Sequence, residues 1–119
     1  YALLEEVLPK LQAIADKQYV PDTKTVMKTV TEFQSMDEVP GTAALLKLVQ
    51  EAAAECNLPQ PTAKAVGGGS DSAYATAAGV PTICAIGVQG ARNHTAEEFA
   101  VVDTLFSRCK LFSTIMINI

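Results

Sequence analysis

The sequence predicts a layered α/β fold, and two observations lead to that prediction. Of the 119 residues, 49% are apolar and 18% are charged, which excludes a disordered chain and suits a compact domain. Along the chain, apolar stripes at spacings of three and four alternate with runs of β-branched and apolar residues. This alternation of helix and strand patterns is typical of helices packed on a sheet.

The first third of the chain predicts one helix, one strand and a connection. The helix covers residues 3–18, with Pro9 either inside it or at the first turn of a shorter helix. Its apolar stripe consists of Leu4, Leu8, Leu11 and Ala15. A β-branched and aromatic run predicts a strand over residues 24–33. Residues 34–41 contain Asp, Glu and a Pro-Gly pair, so we expect a domain boundary there.

The remaining chain predicts three helices and two strands. A helix is expected from Thr42, which suits the N-cap position, to Cys56. Its apolar stripe consists of Leu45, Leu48, Val49, Ala52 and Cys56. Strands are expected over residues 62–66 and 81–87, separated by a short helix of small residues that Gly79 ends. The last helix is predicted over residues 102–117. Its apolar side consists of Leu105, Cys109, Phe112 and Met116.

Charge and cysteine content narrow the classes of function. Nine Lys and Arg against thirteen Asp and Glu give a net charge of -4, so the field of the protein repels nucleic acid. The longest uncharged apolar stretch, residues 80–88, is far shorter than the ~20 residues that cross a bilayer, so no membrane partner is expected. The cysteines have no Cys-x-x-Cys spacing and are expected to be reduced, buried thiols, which favours a cytoplasmic protein. They are Cys56, Cys84 and Cys109.

A glycine-rich turn, Gly67 to Ser70, joins a predicted strand to a predicted helix. Glycines allow a ligand to approach the backbone closely, and the first N–H groups of a helix lack partners within it, so an anion can bind there. Ser70 can cap that helix or offer its hydroxyl group, and Asp71 suits the helix dipole. A flexible linker and a phosphate or nucleotide site are the alternatives, although the Gly-Lys-Ser/Thr ending of a P-loop is missing.

His94 is the single histidine, and it lies in a glycine-framed loop before Glu97 and Glu98. Judged by this local context alone, it is a surface residue more often than a metal ligand. One imidazole cannot satisfy zinc, which takes three or four protein ligands. Adjacent glutamates point in different directions on a helix, so Glu97 and Glu98 are expected at a solvated helix start rather than as a catalytic pair.

Taken in order, four segments resemble the C-terminal part of the di-zinc peptidases. That family includes glutamate carboxypeptidase, aminoacylase, acetylornithine deacetylase, succinyl-diaminopimelate desuccinylase and several dipeptidases. Its pattern is Gly-Gly-x-Ser/Thr-Asp, a helix, Gly-x-Pro, an apolar strand and His-Ser/Thr-x-x-Glu-Tyr/Phe-Val. The corresponding segments here are Gly67–Tyr74, Gly79–Thr82, Gly87 and His94–Asp103.

The resemblance implies two domains. Residues 1–35 are expected to end a ferredoxin-like lid domain, which in this family commonly forms a homodimer. Residues 36–119 are expected to form the C-terminal half of a layered zinc-peptidase catalytic domain. The chain begins without Met and inside an apolar helical pattern, so we expect a longer polypeptide whose N-terminal part is a partner of this chain.

For the site, the resemblance implies that His94 is the last metal ligand of a centre with two zinc ions. It also implies that Gly68, Gly69 and Ser70 bind the substrate. The activity implied is hydrolysis of amide bonds in small peptides or N-acyl amino acids by a metal-activated water. The family carries its catalytic glutamate and its other ligands before the lid. No catalytic residue is therefore assigned here, and the chain alone is expected to be incomplete and inactive.

The sequence departs from many relatives at one point. An arginine that binds a substrate carboxylate, on the strand leaving the lid, has no counterpart in residues 31–35. Arg92 lies two residues before His94 and either approaches the site or serves at the surface. A non-catalytic member of the same fold, retained as a binding or dimerisation module, is the alternative function.

Overall fold

The computed structural model describes residues 4–119, which contain four helices and one pair of short strands. The helices are α1 (Leu4–Ala15), α2 (Thr42–Glu55), α3 (Ser72–Ala77) and α4 (Val102–Asn118). The strands are β1 (Gly90–Ala91) and β2 (Phe99–Ala100), which pair antiparallel. By its contacts the chain divides into two compact units, Tyr1–Glu32 and Phe33–Ile119.

In the first unit, α1 is shorter than the helix predicted over residues 3–18, and Leu3 lies outside the described residues. Pro9 lies inside this helix rather than at its first turn. Because proline has no N–H, α1 lacks the internal hydrogen bond that a different residue would donate there. The side-chain amide of Gln12 donates to the carboxylate of Asp16 at 2.6 Å, just beyond the last helical residue.

The three predicted strands are not present as strands among the described residues. Residues 24–33, 62–66 and 81–87 have no regular secondary structure. β-Branched and apolar residues favour a strand, but a strand also needs a neighbour that accepts and donates its backbone hydrogen bonds. Within residues 4–119 the pairing is limited to β1 and β2. The layered sheet and the lid domain therefore stay predictions, while the mixture of helix and strand is observed.

Packing of α2 against α4 forms the core of the second unit. Ala52 and Ala53 of α2 are completely buried, and their small side chains let α4 approach closely. The buried cluster consists of Val49, Ala52, Ala53, Leu111 and Ile115. Leu48, Leu58, Ile83 and Ile86 pack against its edge. Residues 81–87 thus contribute apolar side chains to the core even though they form no strand.

The buried side of α4 is displaced by one residue from the side that the sequence predicted. Leu111 and Ile115 are buried, whereas Phe112 and Met116 are 51% and 63% exposed. Leu105 and Cys109, the other two members of the predicted side, are also exposed. The helix carries apolar residues in adjacent stripes, and the pattern alone does not say which stripe meets α2. In α2 the predicted stripe is largely confirmed, since Val49, Ala52 and Cys56 are buried.

Helix α2 ends in a left-handed cap. Asn57 has a φ of 56°, and the N–H of Leu58 donates to the carbonyl of Ala53 at 2.8 Å. This is the Schellman arrangement, in which the residue after the cap also packs against the helix. The same arrangement ends α3 around Gly79, which has a φ of 81°. The prediction that Gly79 ends the short helix is therefore confirmed.

At the other end of α2, Gly41 rather than Thr42 is the cap residue. Thr42 is the first helical residue, and its hydroxyl accepts a hydrogen bond from the N–H of Val39 at 3.2 Å. Gly41 has a φ of 100°, and a Cβ atom there would lie 2.8 Å from Cγ of Pro81. Only glycine satisfies both the left-handed backbone and the close contact. This contact joins the start of α2 to residues 81–87.

Within residues 4–119, none of the helices combines the length and the apolar character needed to cross a membrane.

The position of α4 can be tested by truncating adjacent side chains. We expect Leu111→Ala to lower the free energy of unfolding by about 2–5 kcal/mol, because it opens a cavity in the core. Phe112→Ala should change it by about 0.5 kcal/mol or less, because Phe112 is exposed. Urea unfolding followed by circular dichroism measures both, and a larger loss for Phe112→Ala would favour the stripe predicted from the sequence.

The Gly41 contact can be tested with three glycine substitutions. Gly41→Ala should cost about 1–3 kcal/mol, because it combines a left-handed backbone with a clash. Gly79→Ala shares the positive φ but meets no atom within 4 Å, so it should cost less, about 1 kcal/mol. Gly67→Ala has neither feature and is the control. Equal losses for Gly41→Ala and Gly67→Ala in urea unfolding would contradict this account.

Candidate functional site

His94 lies in a hairpin loop. Strands β1 and β2 pair with Gly90 opposite Ala100 and Ala91 opposite Phe99, and residues 92–98 connect them. The strands are only two residues long each, so the order of the loop depends mostly on its own hydrogen bonds.

The first half of the loop is a tight turn from Arg92 to Thr95. The carbonyl of Arg92 accepts hydrogen bonds from the N–H of Thr95 at 3.2 Å and from its hydroxyl at 2.7 Å. His94 occupies the third position of this four-residue turn and has a φ of 63°, the sign that a type II turn requires there. A left-handed backbone costs a residue with a side chain about 1 kcal/mol or more, and histidine adopts it more often than most.

The second half of the loop is anchored by the same threonine. The hydroxyl of Thr95 accepts from the N–H of Glu97 at 3.2 Å, and the carbonyl of Thr95 accepts from the N–H of Glu98 at 3.2 Å. The guanidinium group of Arg92 forms an ion pair with the carboxylate of Glu97. His94 therefore lies between two residues whose side chains contact each other across the loop.

The hairpin is attached to the start of α4. The hydroxyl of Thr104 accepts a hydrogen bond from the N–H of Gln89 at 2.9 Å and donates to the carbonyl of Val101 at 2.7 Å. The N–H of Val101 in turn donates to the carbonyl of Gln89 at 2.8 Å. The bases of both hairpin strands are thus joined to the helix that forms half of the core.

The glutamates after His94 do not begin a helix, which corrects the expectation from the sequence. They lie in the loop before β2, and α4 begins only at Val102. Their surroundings differ, because Glu97 pairs with Arg92 whereas Glu98 lines an open surface depression of about 310 Å³ beside the loop. The other residues that line this depression are Val88, Gly90, Asn93, Phe99 and Ala100.

The imidazole of His94 is exposed, which leaves it accessible to a ligand. Within residues 4–119, no group of three or more His, Cys, Asp or Glu side chains is arranged to bind a metal ion. The structure thus presents one accessible imidazole on the hairpin and, separately, the glycine turn before α3.

The glycine turn is open on one side and packed on the other. A Cβ atom at Gly67 or Gly68 would meet nothing within 4 Å, so a ligand can approach the backbone there. A Cβ at Gly69 would lie 3.4 Å from Cδ1 of Phe33, whose ring also lies 6.4 Å from that of Tyr74. Phe33, at the end of a predicted strand, therefore covers one side of the turn.

Ser70 links the turn to α3 and to residues 81–87. Its hydroxyl accepts a hydrogen bond from the N–H of Ser72, the first residue of α3, at 3.2 Å. Asp71 occupies the cap position, but its carboxylate makes no capping hydrogen bond. Oγ of Ser70 also lies 3.1 Å from Sγ of Cys84, within hydrogen-bonding distance.

The sequence did not indicate that Cys84 lies beside the glycine turn. All three cysteines are free, but only Cys56 is buried, which corrects the expectation that all are buried. Hydrogen bonds with Ser70 and then with Ser72 lower the pKa of the Cys84 thiol, against the opposing effect of its slight burial. No local signal separates Cys84 from the apolar residues around it, because the contact with Ser70 spans fourteen residues.

The role of Ser70 at this thiol can be tested by alkylation. Ser70→Ala removes the main hydrogen bond to Cys84, so the pKa of the thiol should rise toward its usual value. At pH 7 the thiolate fraction, and with it the rate of reaction with iodoacetamide, should then fall. Peptide mass spectrometry follows Cys84, with exposed Cys109 in the same sample as reference. An unchanged ratio of the two rates would contradict the hydrogen bond.

Comparison with known proteins adds a family to these observations. A family model described as peptidase family M20/M25/M40 matches residues 10–118, which is nearly the whole chain. No curated protein and no solved structure matches the chain significantly. The match includes the glycine turn, the hairpin loop with His94 and the whole of α4. Peptidases of this family are generally metal-dependent hydrolases. The chain therefore belongs to peptidase family M20/M25/M40.

Proposed function

We propose that this chain is part of a zinc-dependent metallopeptidase that hydrolyses amide bonds in small peptides or N-acyl amino acids. The observation that carries the proposal is the exposed imidazole of His94, presented by a hydrogen-bonded loop in a chain that belongs to a peptidase family. The ordered motifs from Gly67 to Asp103 support it, because they resemble the region where di-zinc peptidases carry their last metal ligand.

The residues described here do not by themselves fit a zinc site. Zinc takes three or four protein ligands, and no group of three candidate side chains is arranged for it within residues 4–119. His94 is one suitable donor, since a neutral imidazole binds zinc well. We therefore propose that His94 supplies a single ligand of a two-zinc centre and that the other ligands and the catalytic glutamate come from polypeptide outside this sequence. On its own the chain would be inactive.

In this proposal Gly68, Gly69 and Ser70 bind the substrate beside the metals. The open space around Gly68 supports it, because a substrate can approach the backbone N–H groups without meeting a side chain. The hydroxyl of Ser70 contacts Ser72 and Cys84, so in this proposal it also orders the turn that binds the substrate. Arg92 pairs with Glu97 through Nη1, and the other N–H groups of its exposed guanidinium leave a substrate-binding role open.

The organisation of the whole protein is part of the same proposal. Residues 1–35 would end a lid domain that contributes to a homodimer, and residues 36–119 would form the C-terminal half of the catalytic domain. The N-terminal part of the same polypeptide would be the principal partner of this chain. A cytoplasmic location fits the three free cysteines.

The proposal is tested by His94→Ala in the full-length protein. We expect zinc content to fall and hydrolysis of dipeptides and N-acyl amino acids to slow by roughly 100-fold or more, because even residues that only orient a metal ligand contribute about 10–100-fold. Metal analysis and a hydrolysis assay measure the two effects. Lys110→Ala is the control, since Lys110 is exposed on α4 and lies outside the proposed site.

Three results would count against the proposal. Unchanged zinc content and activity in His94→Ala would remove His94 from the site. Absence of both bound metal and hydrolysis in the unmodified full-length protein would instead favour a non-catalytic binding or dimerisation module. Tight, chelator-resistant zinc in the 119-residue chain alone would contradict the view that it supplies one ligand per zinc centre.

A further inference from the structure

We propose that Phe33 and Tyr74 form an aromatic wall beside the glycine turn, and that this wall selects substrates whose side chain or acyl group is apolar and uncharged. The inference rests on the proposed function, because it names the substrate class for the turn that is assigned there to substrate binding. It depends on residues of the second unit alone and on no metal ion.

Phe33 lies directly against the backbone of the turn. A Cβ atom on Gly69 would lie 3.4 Å from Cδ1, 3.5 Å from Cγ and 3.8 Å from Cβ of Phe33, which are ordinary van der Waals distances. Because glycine has no side chain, nothing separates the benzyl group of Phe33 from the main chain there. A ligand that binds to the backbone of the turn therefore lies next to this ring.

Tyr74 extends the apolar surface. It is the third residue of α3, and its ring centroid lies 6.4 Å from that of Phe33 with 49° between the ring planes, within the range of interacting aromatic pairs. Ala73 and Thr76 of α3 are buried, so the helix that carries Tyr74 is packed into the second unit. The rings remain half exposed, with 49% of Phe33 and 53% of Tyr74 accessible to water. The aromatic wall thus keeps a free apolar surface that a ligand can bury.

The turn itself offers hydrogen-bond donors. Residues 67–69 are exposed, and no acceptor for their N–H groups is present in the part of the chain that the structure describes. A Cβ atom at Gly67 or Gly68 would meet no atom within 4 Å, so a carbonyl oxygen can reach these N–H groups. A few polar groups beside an apolar surface are the usual composition of a site for a small molecule. The combination fits an amide that carries an apolar group close to its carbonyl.

The charge of the turn disfavours an acidic side chain on the ligand. Asp71 is the charged residue of segment 67–74, and it is exposed. It repels a second carboxylate, whereas it does not repel an uncharged group. The aromatic wall favours ligands that bury apolar surface. A neutral apolar group satisfies both conditions, and a cationic group, which aromatic rings also attract, is the competing outcome of the test.

The inference is tested by ligand binding to the 119-residue chain, which requires neither hydrolysis nor a bound metal. The probe is N-acetyl-phenylalanine amide, and NMR titration follows the amide signals of residues 67–69. We expect Phe33→Ala to weaken binding by about 5–10-fold, because the ligand loses roughly half of its aromatic contact. N-acetyl-glycine amide, which lacks the apolar group, should bind equally to both forms. Phe106→Ala is the matched control, since Phe106 is an exposed phenylalanine of α4 that belongs to neither the turn nor the aromatic wall.

Three results of this titration would overturn the inference. The first is the absence of shifts at residues 67–69 with N-acetyl-phenylalanine amide at millimolar concentration. The second is equal weakening by Phe33→Ala and Phe106→Ala, since the effect would then be general. The third is tighter binding of the corresponding lysine or glutamate amide, because charge would then select the ligand. If circular dichroism shows that Phe33→Ala loses its helices, Phe33→Leu replaces it, since leucine keeps an apolar contact with Gly69 and removes the ring.

In the full-length protein the same variant should change specificity. We expect Phe33→Ala to lower the ratio of kcat/KM for a phenylalanine substrate over a glycine substrate by about 5–10-fold, mainly through KM. If His94→Ala leaves zinc content and hydrolysis unchanged, the proposed function fails, whatever the specificity. If His94→Ala abolishes hydrolysis but Phe33→Ala leaves the ratio unchanged, the role of the aromatic wall alone fails.

Discussion

The close approach of α2 and α4 is the contact on which the second unit depends. Two adjacent alanines of α2, Ala52 and Ala53, leave room for Leu111 and Ile115 of α4. Other elements take their places from this pair: Leu58 packs on it through the left-handed cap of α2, and residues 81–87 add two isoleucines at its edge. Among the helices and strands of the described residues, the other pair in contact is β1 with β2.

The same helix pair also positions the candidate site, although indirectly. Thr104 near the start of α4 joins both bases of the hairpin, and the hairpin carries His94 at its loop. The loop lies outside the packed core, and its contacts are the hydrogen bonds of Thr95 and the Arg92–Glu97 ion pair. This division resembles many functional sites, in which a packed scaffold positions a loop that carries the chemistry.

The sequence predicted the helices well because their signals are local. The stripe of α2, the stop at Gly79 and the long C-terminal helix all depend on residues three to five positions apart. The predicted strands were wrong because a strand depends on a neighbour distant in sequence. The predicted buried side of α4 was wrong because this helix carries two apolar stripes, and the pattern does not say which of them is buried. At the site, the ordered motif singled out His94 and the glycine turn, and the family match agrees with the motif. The Ser70–Cys84 contact and the Arg92–Glu97 ion pair could not be predicted, because no residue type at those positions demands them.

Helix α4 has a further property that matters for handling the protein. It buries one stripe against α2, yet its other side keeps large apolar groups in water, among them Phe106 at 73% exposure and Ile117 at 82%. The net charge of -4 provides only weak electrostatic repulsion between copies. Self-association at millimolar concentration is therefore expected to involve this apolar outer side of the helix, and detergents that cover it should reduce that association.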